Sequence, residues 1–253
     1  MTDEPDPEAL PPVLAVAWQR TPPPARGPRP SLTVAAIVGA AVEIADEEGI
    51  DAVSMARVAG RLGYTPMALY RHVRSKDDLL ALAQDAAFAD PPTLDAAAGW
   101  RPGLEAWTRA LAAAYRARPW VLDIPIAGPP SLPRQVAWLD RALAVLEGTP
   151  LLPHERLSAA LMLSNHARSW SMLARDLERS RGSTGTGPPA GTDALRLVAE
   201  LAAPDRFPAV GPVLRDVLAA IEAGDDDGED VADEFEFGLQ RILDGLDAHM
   251  RRA

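Results

Sequence analysis

From Ser31 onward, the apolar residues recur at three- and four-residue steps, and no segment sustains a two-residue alternation. That period places side chains on one face of a helix and does not suit a half-buried strand. The chain is therefore expected to be all-α. In "SLTVAAIVGAAVEIADEEG", Val34, Ile37, Val38, Ala41, Ile44 and Ala45 share one face. Ser31 or Thr33 can cap its start and Gly49 can end it. Hydrophobic residues make up 47 % of the chain and aromatic ones only 5 %. Much of the apolar content is Ala and Leu, which favour helix.

Two short helices are expected next. "VSMARVAGRLG" opens at Ser54, runs through Met55, Val58, Ala59 and Leu62, and stops at Gly63. After a tight turn, Thr65 stands at an N-cap with Pro66 at the first helical position, where a missing N–H is harmless. "SKDDLLALAQDAAF" starts a further helix, with Ser75 as cap and Asp77 and Asp78 in its first turn. Beyond Pro91-Pro92, longer helices are expected at about 100–117, 133–147, 153–180, 193–203, 210–223 and 231–250. Residues 1–30 are Pro-rich and poor in large apolar groups, and read as a mostly extended basic arm. Its small apolar group, Val13, Leu14, Val16 and Trp18, is placed to dock on the body. The expected organisation is an arm over 1–30, a helix-turn-helix domain over 31–76 and a larger helical domain over 77–253.

The chain has no cysteine, which excludes disulfides and thiolate metal sites and fits a reducing cytoplasm. No apolar run approaches the ~18–20 residues that span a bilayer, so no membrane partner is expected. Formal net charge is −11, which read globally argues against nucleic acid. Read locally it does not: between Arg20 and Lys76, eight basic side chains face five acidic ones. Asymmetry of this kind is expected where one part of a chain meets a polyanion.

"GYTPMALYRHVRSKDDLL" (63–80) concentrates that charge. Leu69 and Val73, four apart, can pin one face inward, leaving Pro66, Met67, Tyr70, Arg71 and Arg74 on the other. A short helix of this kind suits a major groove, where its N-terminal residues meet base edges. Tyr70, His72 and Lys76 are placed to reach phosphate oxygens. Arg71 can pair bidentately with guanine, and Thr65 and Met67 can meet thymine methyls. The same window alone could be an ordinary solvated surface helix. The two helices before it, in the right order and length, favour DNA.

The pattern LG-x5-LY-x-HV-x2-K-x2-L is present as Leu62, Gly63, Leu69, Tyr70, His72, Val73, Lys76 and Leu79. With the fifty residues around it, it resembles the DNA-binding domain of the tetracycline-repressor-like (TetR) family of bacterial transcriptional regulators. "RPWVLDIPIAGPP" and "FEFGLQRILDGLDAHM" resemble the effector domain of its tetracycline-repressor-like subgroup. The resemblance implies a homodimer that binds a palindromic double-stranded DNA operator and is released by a small-molecule effector. It implies phosphate contacts from Tyr70, His72 and Lys76, and a recognition surface of Thr65, Pro66, Met67 and Arg71. Met67 and Ala68 are apolar where founding members carry a more polar reader, so the operator sequence does not carry over.

The C-terminal half offers candidates for an effector pocket: Trp107, Tyr115, Trp120, Trp138, Met162, His166 and Trp170, with Asn165 and Ser169 as polar neighbours. Each alone is better explained by core packing than by ligand contact; together, such rigid side chains suit the walls of a cavity between helices. Glu234, Phe235, Phe237, Leu239, Ile242, Leu243 and Leu246 form a terminal stripe that, with part of 153–180, suits a four-helix dimer interface.

Other signals are weaker. "GSTGTG" (182–187) lacks the Lys-Ser/Thr of a phosphate loop. "DDDGEDVADE" matches a calcium loop at Asp225, Asp227, Gly228 and Glu234, but Ala223 takes the place of an essential first ligand. The four histidines show no metal spacing, and no base or nucleophile motif appears. No catalysis, metal or cofactor is expected. An α-helical enzyme and a protein-binding adaptor are the rival readings. Arg20, Arg26 and Arg29 fit either a minor-groove arm or a solubilising tail.

Overall fold

The computed structural model describes residues 10–19, 32–95, 98–181, 191–203, 205–223 and 231–252. Among these there are eleven α-helices and no strand, as the periodicity requires. A short helix, α1 (Pro12–Ala17), precedes the first domain. Three helices follow: α2 (Val34–Glu48), α3 (Met55–Leu62) and α4 (Pro66–Tyr70). α5 (Lys76–Ala87) leads to α6 (Trp100–Ala117), α7 (Pro133–Val145) and α8 (Pro153–Arg181), and the chain ends in α9 (Thr192–Leu201), α10 (Val210–Ala223) and α11 (Val231–Met250).

Side-chain caps set several starts. The Ala36 N–H donates to Thr33 Oγ1 at 3.1 Å, Arg57 N–H to Ser54 Oγ at 3.2 Å and Asp78 N–H to Ser75 Oγ at 3.0 Å. Each satisfies one donor left open in the first turn. Thr65 holds the N-cap backbone position of α4, but its side chain makes no capping bond.

α2 packs on α3 and α5, and α3 on α4, around a core of Ile37, Ile44, Val58, Leu69 and Leu79. In the second half α6 packs on α7 and α8, and α8 on α11. Leu104, Leu163, Leu239 and Leu243 are fully buried there. α5 touches both halves, packing on α2 and on α7. α9 and α10 pack chiefly on each other.

Within the segment expected to be extended, residues 12–17 are helical. Pro12 sits in the first turn, where it costs no hydrogen bond, and Val13, Val16 and Ala17 pack against the body. Arg20, Arg26 and Arg29, the 182–187 stretch and residues 224–230 of the calcium-like stretch lie outside the described residues.

Candidate functional site

Two features stand out, joined by one helix. The first is the exposed surface of α4. Leu69 and Val73 are buried and hold the segment on the core. Thr65, Pro66, Met67, Tyr70, Arg71 and Lys76 are exposed, and His72 is half-buried. Met67 is 68 % exposed, a large apolar side chain on the outermost part of the short helix. The turn before it is closed by the left-handed backbone of Gly63 (φ +73°) and by the Tyr64 N–H, which donates to the Ala59 carbonyl at 2.9 Å. A residue with a Cβ strains at that φ, so glycine belongs there.

The charge around α4 is divided. Arg57 pairs with Glu48, and Arg61 with Glu47 and Glu43, tying α3 to α2. The Arg61 guanidinium holds the Glu47 carboxyl below the usual carboxylate range. Arg71, Arg74 and Lys76 have no ion pair with a carboxylate among the described residues. The local positive field is thus narrower than the residue count implies: it runs from Arg71 to Lys76 and is bounded by Asp77 and Asp78 in the first turn of α5.

The second feature is a cavity of about 780 Å³ bounded by α1, α5, α6, α7, α8 and the 124–132 loop. That volume lies within the ~300–1,000 Å³ common for small-molecule sites. Trp107, Leu111 and Tyr115 line it from α6, Trp138 from α7, and Phe88 from the end of α5. The rings are locked by their polar ends and by edge contacts. Trp107 Nε1–H donates to the Trp138 carbonyl at 2.8 Å, and Trp138 Nε1–H to the Ala89 carbonyl at 3.0 Å. Phe88 meets Tyr115 edge-on at 5.4 Å, and Trp107 meets Trp138 at 6.2 Å. Burial pushes the Tyr115 hydroxyl pKa up, against the opposing pull of Arg168. Arg168 is a cation on this wall; its Nη2 donates to the Leu122 and Ile124 carbonyls at 2.9 and 3.2 Å.

Of the seven pocket candidates, Trp107, Tyr115 and Trp138 line this cavity; Trp120, Met162, His166 and Trp170 do not. The last three share a stripe of α8, at 162, 166 and 170, one step round from the stripe that does face the cavity: Leu161, Ser164, Asn165 and Arg168. His166 Nε2 lies 2.9 Å from the Phe235 carbonyl, and its ring stacks on Phe235 at 5.0 Å. Trp170 also packs on Phe235. These two belong to the α8–α11 seam. Met162 is exposed, as are Leu173 on α8 and Phe237 on α11. Trp120 is buried in a 3-10 turn (Pro119–Asp123), where its Nε1–H donates to Asp46 of α2 at 2.7 Å. Phe88, Leu111 and Arg168 were not read from the sequence as lining. The period-3.6 stripe through Leu161, Ser164, Asn165 and Arg168 was the available signal.

α5 links the two features. It begins at Lys76, beside the α4 surface, and presents Leu80, Ala81 and Gln84 to the cavity. Its Asp85 caps α7: the Arg134 and Gln135 N–H groups each donate to Asp85 Oδ1 at 3.1 Å. Among the described residues no cluster of three or more His, Asp or Glu could hold a metal ion, and no helix is long and apolar enough to cross a membrane.

Comparison with known proteins gives two family matches. Residues 37–83 match the model for bacterial regulatory proteins of the tetR family, and residues 91–250 match the tetracyclin repressor-like C-terminal domain. The HTH-type transcriptional repressor DrrR1 of Streptomyces coeruleorubidus is 34 % identical over 246 residues, covering 92 % of this chain and 84 % of that one. The class A tetracycline repressor protein from transposon 1721 of Escherichia coli is 29 % identical over 213 residues, covering 83 % and 88 %. Among solved structures, the TetR family protein ActR of Streptomyces coelicolor in complex with (S)-DNPA superposes with a TM-score of 0.69 at 25 % identity, covering 87 % of this chain and all of that one.

Proposed function

The chain belongs to the tetR family of bacterial regulatory proteins, and from that premise we propose that it is a repressor that binds a palindromic operator as a homodimer and is released by a small, largely apolar effector. The observation that carries the reading is the placement of α5. One helix starts at the exposed basic end of the α4 surface and forms a wall of an aromatic-lined cavity. A molecule seated among Phe88, Trp107, Tyr115 and Trp138 shifts that helix and, with it, the paired α4 surfaces of the dimer.

Thr65, Pro66, Met67 and Arg71 read the major groove in this account, and Tyr70, His72 and Lys76 hold phosphates. Half-sites on one face of DNA lie about 34–36 Å apart, so a small change in the separation of the two α4 helices costs contacts on both. The dimer forms through α8 and α11, where Met162, Leu173 and Phe237 leave apolar surface exposed on packed helices. Relatives named as repressors of transcription support a cavity that binds rather than turns over its occupant, and a protein of this kind works in the cytoplasm.

Selection of bound duplexes from a random pool tests the reading. Recovery of an inverted repeat with half-sites one helical turn apart is the expected result. Recovery of no preferred sequence at low salt contradicts it. A compound that quenches the tryptophans, incubated with the protein and recovered chemically changed, favours the enzyme instead.

A further inference from the structure

We infer that the N-terminal helix α1 is part of the effector site: Val13 and Leu14 contact the bound molecule, and Trp18 fastens the helix across the cavity. The inference rests on reading the cavity as the effector site and adds an element to it. Both family matches begin after this helix, at residues 37 and 91, so α1 is something this chain brings to the cavity beyond what they cover.

Six residues do not hold a helix in water on their own, because nucleation costs more than one turn of bonds returns. α1 has no fully buried residue. It is held by packing on α5 and by one long-range hydrogen bond, from Trp18 Nε1–H to the Ser131 carbonyl at 2.9 Å. Ser131 closes the 124–132 loop, whose residues also line the cavity. In that loop Ile126 is 63 % exposed, so this side of the cavity faces solvent. The Trp18–Ser131 bond therefore joins two lining segments, α1 and the loop, on the open side.

Val13 and Leu14 are half-buried, and both line the cavity. An occupant that fills the space beside them removes their remaining apolar surface from water and is itself enclosed. The walls set its chemistry. Phe88, Trp107 and Trp138 offer rigid rings, α1 offers aliphatic side chains, and the charged lining residues are Arg168 on α8 and Asp77 at the start of α5, so an acceptor edge faces Arg168. A flat aromatic molecule with one anionic or hydrogen-bond-accepting edge suits that combination.

The test uses 1-anilinonaphthalene-8-sulfonate, an aromatic sulfonate whose fluorescence rises in apolar sites, titrated into the full chain and four variants. Leu14→Glu sets a carboxylate on the wall and is expected to weaken binding about tenfold or more, whereas Leu14→Met stays near wild type. Trp18→Phe removes the indole donor and part of the ring, and is expected to weaken binding about two- to fivefold, close to the worth of one net hydrogen bond. Because Trp18 is exposed, that variant keeps the body intact. Ser164→Phe fills the cavity from α8 and should weaken binding whatever α1 does. If Ser164→Phe weakens the dye while Leu14→Glu and Trp18→Phe bind it like wild type, α1 is not part of the site. If Ser164→Phe also binds like wild type, the dye does not enter the cavity, and both this inference and the effector-site reading fail.

Discussion

Asp46 and Trp120 join the two halves of the molecule: the indole N–H of Trp120, in the turn after α6, donates to the Asp46 carboxylate on α2 at 2.7 Å. Arg118 adds a second tie, from Nε to both Asp46 oxygens at 3.2 Å and from Nη1 to the Ala87 carbonyl at the end of α5. Asp46, Trp120 and Arg118 thus bind the first domain to the second at the end of α5 nearer the cavity. Trp120→Phe keeps an aromatic side chain but removes the donor and part of the buried ring. It should cost about 1–3 kcal/mol in urea unfolding, from the lost bond and the smaller ring together, and reduce the effect of an effector on DNA affinity. Unchanged stability would mean that the bond contributes nothing net.

Asp85 gives a pH prediction. Burial pushes its carboxyl pKa above the ordinary aspartate range, more than the Gln135 and Arg134 N–H groups and the Arg134 charge pull it down. Between the ordinary value and the raised one, the folded state holds a proton that the unfolded state has released. Raising the pH through that window therefore withdraws stability. Asp85→Asn keeps an oxygen for both N–H groups and does not titrate. The stability of the wild type minus that of the variant should fall as pH rises through the window and then level off. A difference that grows with pH contradicts the assignment. Asp85→Ala, which loses the cap itself, should cost about 1 kcal/mol near neutral pH.

Gly238 lets α11 approach α8 at His166. A Cβ there would stand 2.5 Å from His166 Cε1, and that ring is fixed by its stack on Phe235 and its contact with the Phe235 carbonyl. Gly238→Ala should destabilise by about 1–3 kcal/mol through overpacking. A thermal midpoint equal to that of the wild type would show that the ring moves aside freely.

Lys76 and Arg71 should separate in DNA binding. Lys76→Ala removes a phosphate contact, so affinity should fall about equally across sequences and the salt slope should drop by about one. Arg71→Ala should instead relax base preference by about 1–3 kcal/mol at one position. If both variants bind a selected operator like wild type, the surface of α4 is not the reader.

Most helices were legible because their signals are local. Ser54 and Ser75 sit three residues before the N–H groups that they accept from, and Gly63 follows the last apolar residue of α3. The cavity was harder to read because period alone does not say which neighbour a stripe faces. His166 and Trp170 satisfy the same three- to four-residue period as Asn165 and Arg168, yet their stripe lies about 150° away on α8, where they meet Phe235 rather than the cavity. Trp120 bonds to a carboxylate 74 positions earlier, a pairing that no short window contains. α1 was hidden by its prolines: the composition of residues 1–30 argues for an extended chain, and only the docking of Val13, Val16 and Ala17 turns six of them into a helix.

Coupling between the cavity and the α4 surface is measured by linkage, with the selected operator and any compound that quenches the tryptophans. An effector shifts the equilibrium only by its different affinity for the two states, typically about 1–3 kcal/mol of coupling, and linkage makes the effect reciprocal. Duplex titrations with and without the compound give one factor, and compound titrations of free and operator-bound protein give the other. The two factors are expected to be equal, each binding partner weakening the other by about five- to 150-fold. A compound that fills the cavity yet binds free and operator-bound protein with the same affinity would contradict that coupling.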